Sequence, residues 1–401
     1  MKTLRPPSPL TIFTAFLRLG LTAFGGPAMV AYIRTLCVEE NDWVTEKDFR
    51  DGVALVQTIP GATAMQAAAY AGLRTAGPAG ALAAYSGFAL PAFLLMLALS
   101  TAYRHGNDLA PVISLFSGLQ LIVIAMVAKA ALDFGKKTLK SWKDLLLITG
   151  GAAYIATGGS PVTVIIVSAI SAPFLYTSKP ATPFAEKEMG MESEKQKQPG
   201  TEQPAKSPAF RAGCIAAGVI ATLLGLLFLL DRELFGLAWI MIKIDMFAFG
   251  GGYASLPMML HELVNSTGLL DAKTLMDGIA LGQITPGPIV ITATFAGLLL
   301  HGITGAVVAT ISVFSPSFII LLFVIPWFDR IRHSDRFRRA MRGILCSFTG
   351  LLVAVTINFA MATQWGVGAV IICAASFTAL AYKINMLWIV LAGGGLAVLI
   401  L

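Results

Sequence analysis

Two basic residues stand where a membrane-spanning helix would have to bury them. Arg18 lies in Phe16-Leu17-Arg18-Leu19-Gly20 and Lys243 in Ile242-Lys243-Ile244, each a short distance before a run of glycines. A cation at mid-helix costs about 2.5–3.5 kcal/mol on insertion scales. A bound anion, or a carboxylate, would offset that cost. Asp245 follows Lys243 by two residues, a spacing at which two side chains on one helix do not face each other. Asp245 is therefore a candidate for coupling, and Arg18 and Lys243 are candidates for binding an anion.

The glycines that follow are the second feature with chemical meaning. Gly25-Gly26-Pro27 returns as Gly250-Gly251-Gly252, and Gln57-Thr58-Ile59-Pro60-Gly61 returns as Gln283-Ile284-Thr285-Pro286-Gly287. Glycine admits dihedrals that other residues avoid, and proline donates nothing to a helix ladder. Each site is expected to break a helix. A half-helix N-terminus offers unpaired amides and the positive end of a dipole, which together suit an anion. Gln57, Gln283 and Thr285 could add hydrogen bonds. Close packing or a simple kink is the plainer reading of any one break. Two breaks recurring in both halves favour a binding site.

These residues need elements to hold them. Hydrophobic residues make up 56% of the 401 and charged residues 13%, and the mean hydropathy is +0.76. A soluble domain carries about 25% charged residues. Runs such as Pro111 to Ala128 and Ala212 to Leu230 are free of charge and long enough to cross roughly 30 Å of hydrocarbon as helices. The fold class expected is an all-α polytopic membrane protein. Arg18 interrupts the first apolar stretch, so that stretch is read as a span and not as a cleaved signal. The four cysteines and four histidines show no metal-ligand or redox spacing, and no glycine-lysine phosphate loop is present. No cofactor, metal, nucleic acid or catalytic role is expected.

An ordered series of matches at an offset of about 225 residues divides the chain. A first repeat covers 1–178, a polar linker 179–209, a connecting helix 210–231 and a second repeat 232–401. Each repeat reads as about six segments. In the first they fall near 9–34, 52–73, 77–103, 111–134, 143–157 and 160–177, and with the connecting helix the total is about thirteen. The net charge of +7 concentrates in two loops, Lys136 to Lys143 and Arg330 to Arg342, which follow the fourth segment of one repeat and the third of the other. Basic loops face the cytoplasm, so the repeats are expected to be inverted, with the N-terminus inside and the C-terminus outside the cytoplasmic membrane. That count takes 52–73 as a full crossing, in preference to a re-entrant form.

The motif set resembles the chromate ion transporter family in its long, two-domain form. The residues that carry the match are Phe16 to Gly20, Ala23 to Pro27, Ala54 to Gln57 before Pro60-Gly61, Phe88-Ala89-Leu90-Pro91, Phe249 to Tyr253 and Gln283 to Pro288. The resemblance implies transport of a small oxyanion and chromate resistance. Ala62 stands where the family commonly has proline, and Val30 where many members carry histidine, which keeps sulfate open beside chromate. The expected partners are that oxyanion and the lipid bilayer, with a homodimer left open.

Overall fold

The computed structural model of the chain describes residues 7–23, 28–106, 109–176, 207–328 and 334–400. Gly25, Gly26, Pro27, most of the polar linker, Arg330 and Arg332 lie outside the described residues. The described residues form helices joined by short turns, with no strand among them. Five helical stretches are long and apolar enough to cross a membrane, Thr63–Gly106, Pro111–Thr138, Pro208–Leu230, Ile289–Trp327 and Asp335–Ala362, and four shorter apolar helices accompany them. The all-α polytopic architecture expected from the sequence is present.

The chain begins with a helix that doubles back. Ser8 caps α1 (Pro9–Thr22) by accepting from the Thr11 amide at 3.2 Å, and Pro9 occupies a first-turn position that needs no amide donor. α1 ends before the glycine motif. α2 (Ala28–Arg34) then continues as a π-turn, Thr35–Glu40. Residues Thr11 to Thr22 face residues Tyr32 to Trp43 across one cavity, so the stretch 9–34 is two short helices folded on each other.

The next stretch corrects an expectation. Thr45 caps α3 (Glu46–Val56), which stops at Gln57, and α4 (Thr63–Gly106) starts beyond Pro60-Gly61. Asp48 pairs with Arg74 at 2.5 Å, and Gly52 packs against the Tyr70 ring. Both pairs are centred on Gly61. Segment 52–73 is thus part of a hairpin and not one continuous helix. The sequence showed that Pro60 breaks the ladder; it did not show that Gly61, at φ +117°, reverses the chain rather than kinking it.

α4 turns again at Ala76–Gly77 before running out to Gly106. Gly72 and Gly80 face each other across that turn, where neither has room for a side chain. α5 (Ala110–Thr138) returns, followed by α6 (Trp142–Ala156) and α7 (Pro161–Leu175). α8 (Pro208–Leu230) exposes most of its apolar side chains and touches Leu322 and Phe323 of the second repeat through Phe210 and Gly213.

The second repeat reproduces the first. α9 (Arg232–Met246), the turn Gly252–Ala254, α10 (Ser255–Met259) and the π-turn Leu260–Ser266 correspond to α1, α2 and their π-turn. α11 (Ala272–Ile284) and α12 (Thr292–Val324) correspond to α3 and α4. The reversal in α12 at His301–Gly302 has φ of −136° and 63°, against −142° and 65° at Ala76–Gly77. α13 (Asp335–Ala362), α14 (Val367–Ala381) and α15 (Met386–Ile400) complete the set.

The repeats are interleaved. α6 and α7 pack on α13 of the other repeat, while α14 and α15 pack on α5. α4 and α12 meet at the centre. Asp144 secures one of these exchanges: it is fully buried, accepts from Arg342 at 2.7 Å and from Tyr176, and the Arg342 guanidinium lies 4.3 Å from the Tyr176 ring centroid.

Candidate functional site: hairpin tips that meet between the repeats

Among the described residues, the breaks at Gly61, at 250–252 and at Gly287 are tips of reversals, and tips of opposite repeats bond to each other. The Gly61 amide donates to the Ala248 carbonyl at 2.9 Å, and the Gly287 amide donates to the Ala23 carbonyl at 3.1 Å. These two bonds exchange under the repeat relationship. Gly61 and Gly287 share nearly the same φ, +117° and +120°. A side chain on Gly61 would strike Ser317, and one on Gly287 would strike Ala92. Each tip is therefore held by its backbone conformation and by lack of space.

The glycine tip of the second repeat sits between two helix starts. Thr63, which opens α4, lies against Gly251, and Ile289, which opens the turn into α12, lies against Gly252. The first-turn amides of a helix have no intrahelical acceptor. Two such starts thus abut one pair of glycines whose lack of side chains leaves the backbone open. Phe134 and Phe348, with ring centroids 5.2 Å apart, border Gly250 on the other side. Thr285 is buried, and its hydroxyl donates to the Leu281 carbonyl at 2.8 Å, so it caps its own helix. Gln57 is exposed at the C-terminal cap of α3. Gln283 is half-buried, and its Nε2 has no acceptor among the described residues.

The sequence places both cations in buried positions; the structure leaves Lys243 half-buried but Arg18 exposed, because its face of the short helix α1 opens onto a cavity. Lys243 donates to Glu262 at 2.5 Å, across the hairpin formed by α9 and the π-turn. The offset of about 225 residues that relates Lys243 to Arg18 relates Glu262 to Cys37. Arg18 therefore faces no equivalent acid, and it has no ion-pair partner among the described residues. It lines a cavity of about 600 Å³ together with Thr11, Thr14, Tyr32, Asn41 and the acidic Glu40. Glu262 was not singled out from the sequence. The signal was present, because Lys243 and Glu262 lie at nearly equal distances on either side of Gly252, but it is readable only once the break is known to be a reversal.

Asp245 is fully buried. Its Oδ2 accepts from the Ser317 amide at 2.8 Å and from the Ser317 hydroxyl at 2.5 Å. It does not pair with Lys243, in keeping with their spacing. Lys129 and Asp133 form an i,i+4 pair at 2.5 Å. They are on α5, Asp133 next to Phe134 and Lys129 about one and a half turns before it, and Phe134 borders the Gly250 tip.

Comparison with known proteins places this arrangement. The chain matches the chromate transporter family over residues 10–172 and again over 235–399, one match for each repeat. It belongs to the chromate transporter family. An uncharacterized transporter of Methanocaldococcus jannaschii is 47% identical over 395 residues, covering 98% of this chain and 95% of that protein. A chromate transport protein of Pseudomonas aeruginosa is 28% identical over 416 residues, covering 97% and 92%. A chromate transport protein of Cupriavidus metallidurans is 31% identical over 349 residues, covering 86% and 81%. No solved structure matches the chain. As a member of the chromate transporter family it is a multi-pass membrane protein with a transport role, and the two family matches coincide with the two interleaved sets of helices.

Proposed function

We propose that this protein is a secondary transporter that exports chromate across the cytoplasmic membrane by alternating access and so confers chromate resistance. The observation that carries the proposal is the meeting of Gly251 and Gly252 with the starts of α4 and α12. Amides and dipoles at helix starts suit a small dianion without the full charge of a permanent cation cluster. Arg18, with no ion-pair partner among the described residues, would draw the anion into its own cavity, which shares no lining residue with the junction at Gly251 and Gly252. Lys243 is neutralised by Glu262 and steadies its hairpin. The chemistry is binding and release, with no catalytic step.

The same reading sets the orientation. Because both 9–34 and 52–73 double back, two crossings are removed together and the parity up to Lys136 to Lys143 is kept. α4 beyond Gly77 and α5 then cross, α6 with α7 dips and returns, and α8 crosses once more. The repeats are inverted, both basic loops and the linker face the cytoplasm, and the C-terminus lies outside. Sulfate is the second reading, favoured by Ala62 at a tip where the family commonly has proline.

Chromate-sensitive cells carrying the protein test the proposal. Expression should lower cell-associated chromium in proportion to membrane abundance. Accumulation equal to that of cells without the protein, at matched abundance, would remove chromate export and leave sulfate to be tried.

A further inference from the structure

The junction between Gly61 and α12 holds more polar chemistry than its twin. Asp245, Gln66 and Ser317 are each fully buried there. Gln66 Nε2 donates to the Pro60 carbonyl at 2.7 Å and lies 3.4 Å from the Ser317 carbonyl. The Ala62 amide donates to the Ser317 hydroxyl at 3.0 Å. The Ala62 amide also faces the Asp245 carboxyl group. Among the described residues, two acceptors are left with no donor at hydrogen-bond distance: Asp245 Oδ1 and Gln66 Oε1. Buried polar atoms almost always have a partner, and a carboxylate is the costliest group to leave short of one.

The fold does not need this cluster. The repeat offset places Gly20 opposite Asp245 and Ala92 opposite Ser317. At that twin junction the Gly287 amide still reaches Ala23, while Gly20 packs on the Phe88 carbonyl and Pro91 with no charged group. The same backbone arrangement is thus built once without a carboxylate and once with one.

We infer that Asp245, Gln66 and Ser317 form a binding site for a monovalent cation, a proton or Na⁺, beside the Gly61 tip. Either occupant supplies what the two orphaned oxygens lack: a proton on Asp245 gives a donor, and Na⁺ accepts oxygen ligands of this hard, neutral-plus-carboxylate kind. Tyr85 is the titratable group facing Asp245 from α4, and its hydroxyl donates to the Phe314 carbonyl at 2.7 Å. Ser317 faces it from α12, and Lys243 on its own helix is turned to Glu262. Because Asp245 holds Ser317, which holds Ala62 behind the tip, occupancy is linked mechanically to the hairpin that carries Pro60 and Gly61. The biological use of this site rests on the transport reading; the binding itself does not.

The test uses the full-length purified protein in lipid nanodiscs without any oxyanion. Infrared difference spectra across pH report a buried carboxylic acid, and radiolabelled sodium reports saturable cation binding. A protonatable carboxyl band that is absent in Asp245→Asn and displaced in Asp245→Glu assigns a proton site. Saturable sodium binding that is lost in Asp245→Asn and weakened by about tenfold in Gln66→Leu assigns a Na⁺ site, the loss expected for one ion-directed ligand. Wild-type protein showing neither a protonatable buried carboxyl nor sodium binding overturns the inference, whatever the variants do. A protein that binds the cation but carries no chromate keeps this site and loses only the transport reading.

Discussion

The Gly61 amide reaches the Ala248 carbonyl of the opposite repeat at 2.9 Å, so the tip of one hairpin is fastened to the tip of another. Its mirror, Gly287 to Ala23 at 3.1 Å, closes the arrangement. A movement of one repeat against the other has to break, slide or carry these bonds.

Gly61 itself is the first place to probe. Gly61→Ala forces a side chain into the +117° conformation and into Ser317, and should abolish transport or insertion. Gly77→Ala is the control. Gly77 also has positive φ, +65°, but nothing lies within 4 Å of the added atom. With ψ at −158° it sits in a region essentially confined to glycine, so the substitution should cost about 1–3 kcal/mol of backbone strain but no steric clash, and leave flux measurable. Equal, mild effects of the two substitutions on flux in reconstituted vesicles would mean the tips are not tightly constrained.

Arg18 should govern apparent affinity. Arg18→Gln should raise the Km for a divalent oxyanion by about tenfold to a hundredfold, the range of one charge-assisted hydrogen bond, with little change in membrane abundance. Arg18→Lys should recover only part, since an ammonium lacks the planar fork. Concentration-dependent flux at matched abundance measures this. An unchanged Km in Arg18→Gln would confine recognition to the backbone amides.

Lys243 should behave differently from its repeat partner. Lys243→Gln leaves Glu262 without its cation in a site where Glu262 is 6% exposed, and should cost about 3 kcal/mol of stability. Adding Glu262→Gln should restore much of that stability. Thermal unfolding of the single and double variants, followed by size-exclusion recovery, measures the coupling. Full stability of Lys243→Gln would show that the pair is not structural and return Lys243 to the anion site.

Much of this architecture was legible in the sequence, for identifiable reasons. Composition set the all-α membrane class, and the ordered matches from Phe16 to Pro288 gave the repeats. The breaks at Pro60 and Gly250 followed from the chemistry of proline and glycine. Reversal at those breaks was not legible, because a break fixes where a ladder ends and not where the chain goes next. The fold-back shows in long-range pairs such as Asp48 with Arg74 and Lys243 with Glu262. For the same reason, the pairing of Ser317 with Asp245 could not be read, since 72 residues separate them and only the junction of two repeats brings them together.

The orientation of the termini follows from parity. A reporter active only in the cytoplasm should work when fused at Met1 and fail at Leu401. Activity at both ends would mean that one of α4, α5 or α8 does not cross, and would remove the inversion.

The central claim is that the protein carries a small oxyanion. Reconstituted, sealed vesicles with labelled chromate or sulfate, with and without an imposed proton or sodium gradient, test it most directly. The account predicts saturable chromate flux that depends on Arg18 and that sulfate competes for. Flux of both anions indistinguishable from that of protein-free vesicles, using protein shown to be folded and inserted, would contradict it.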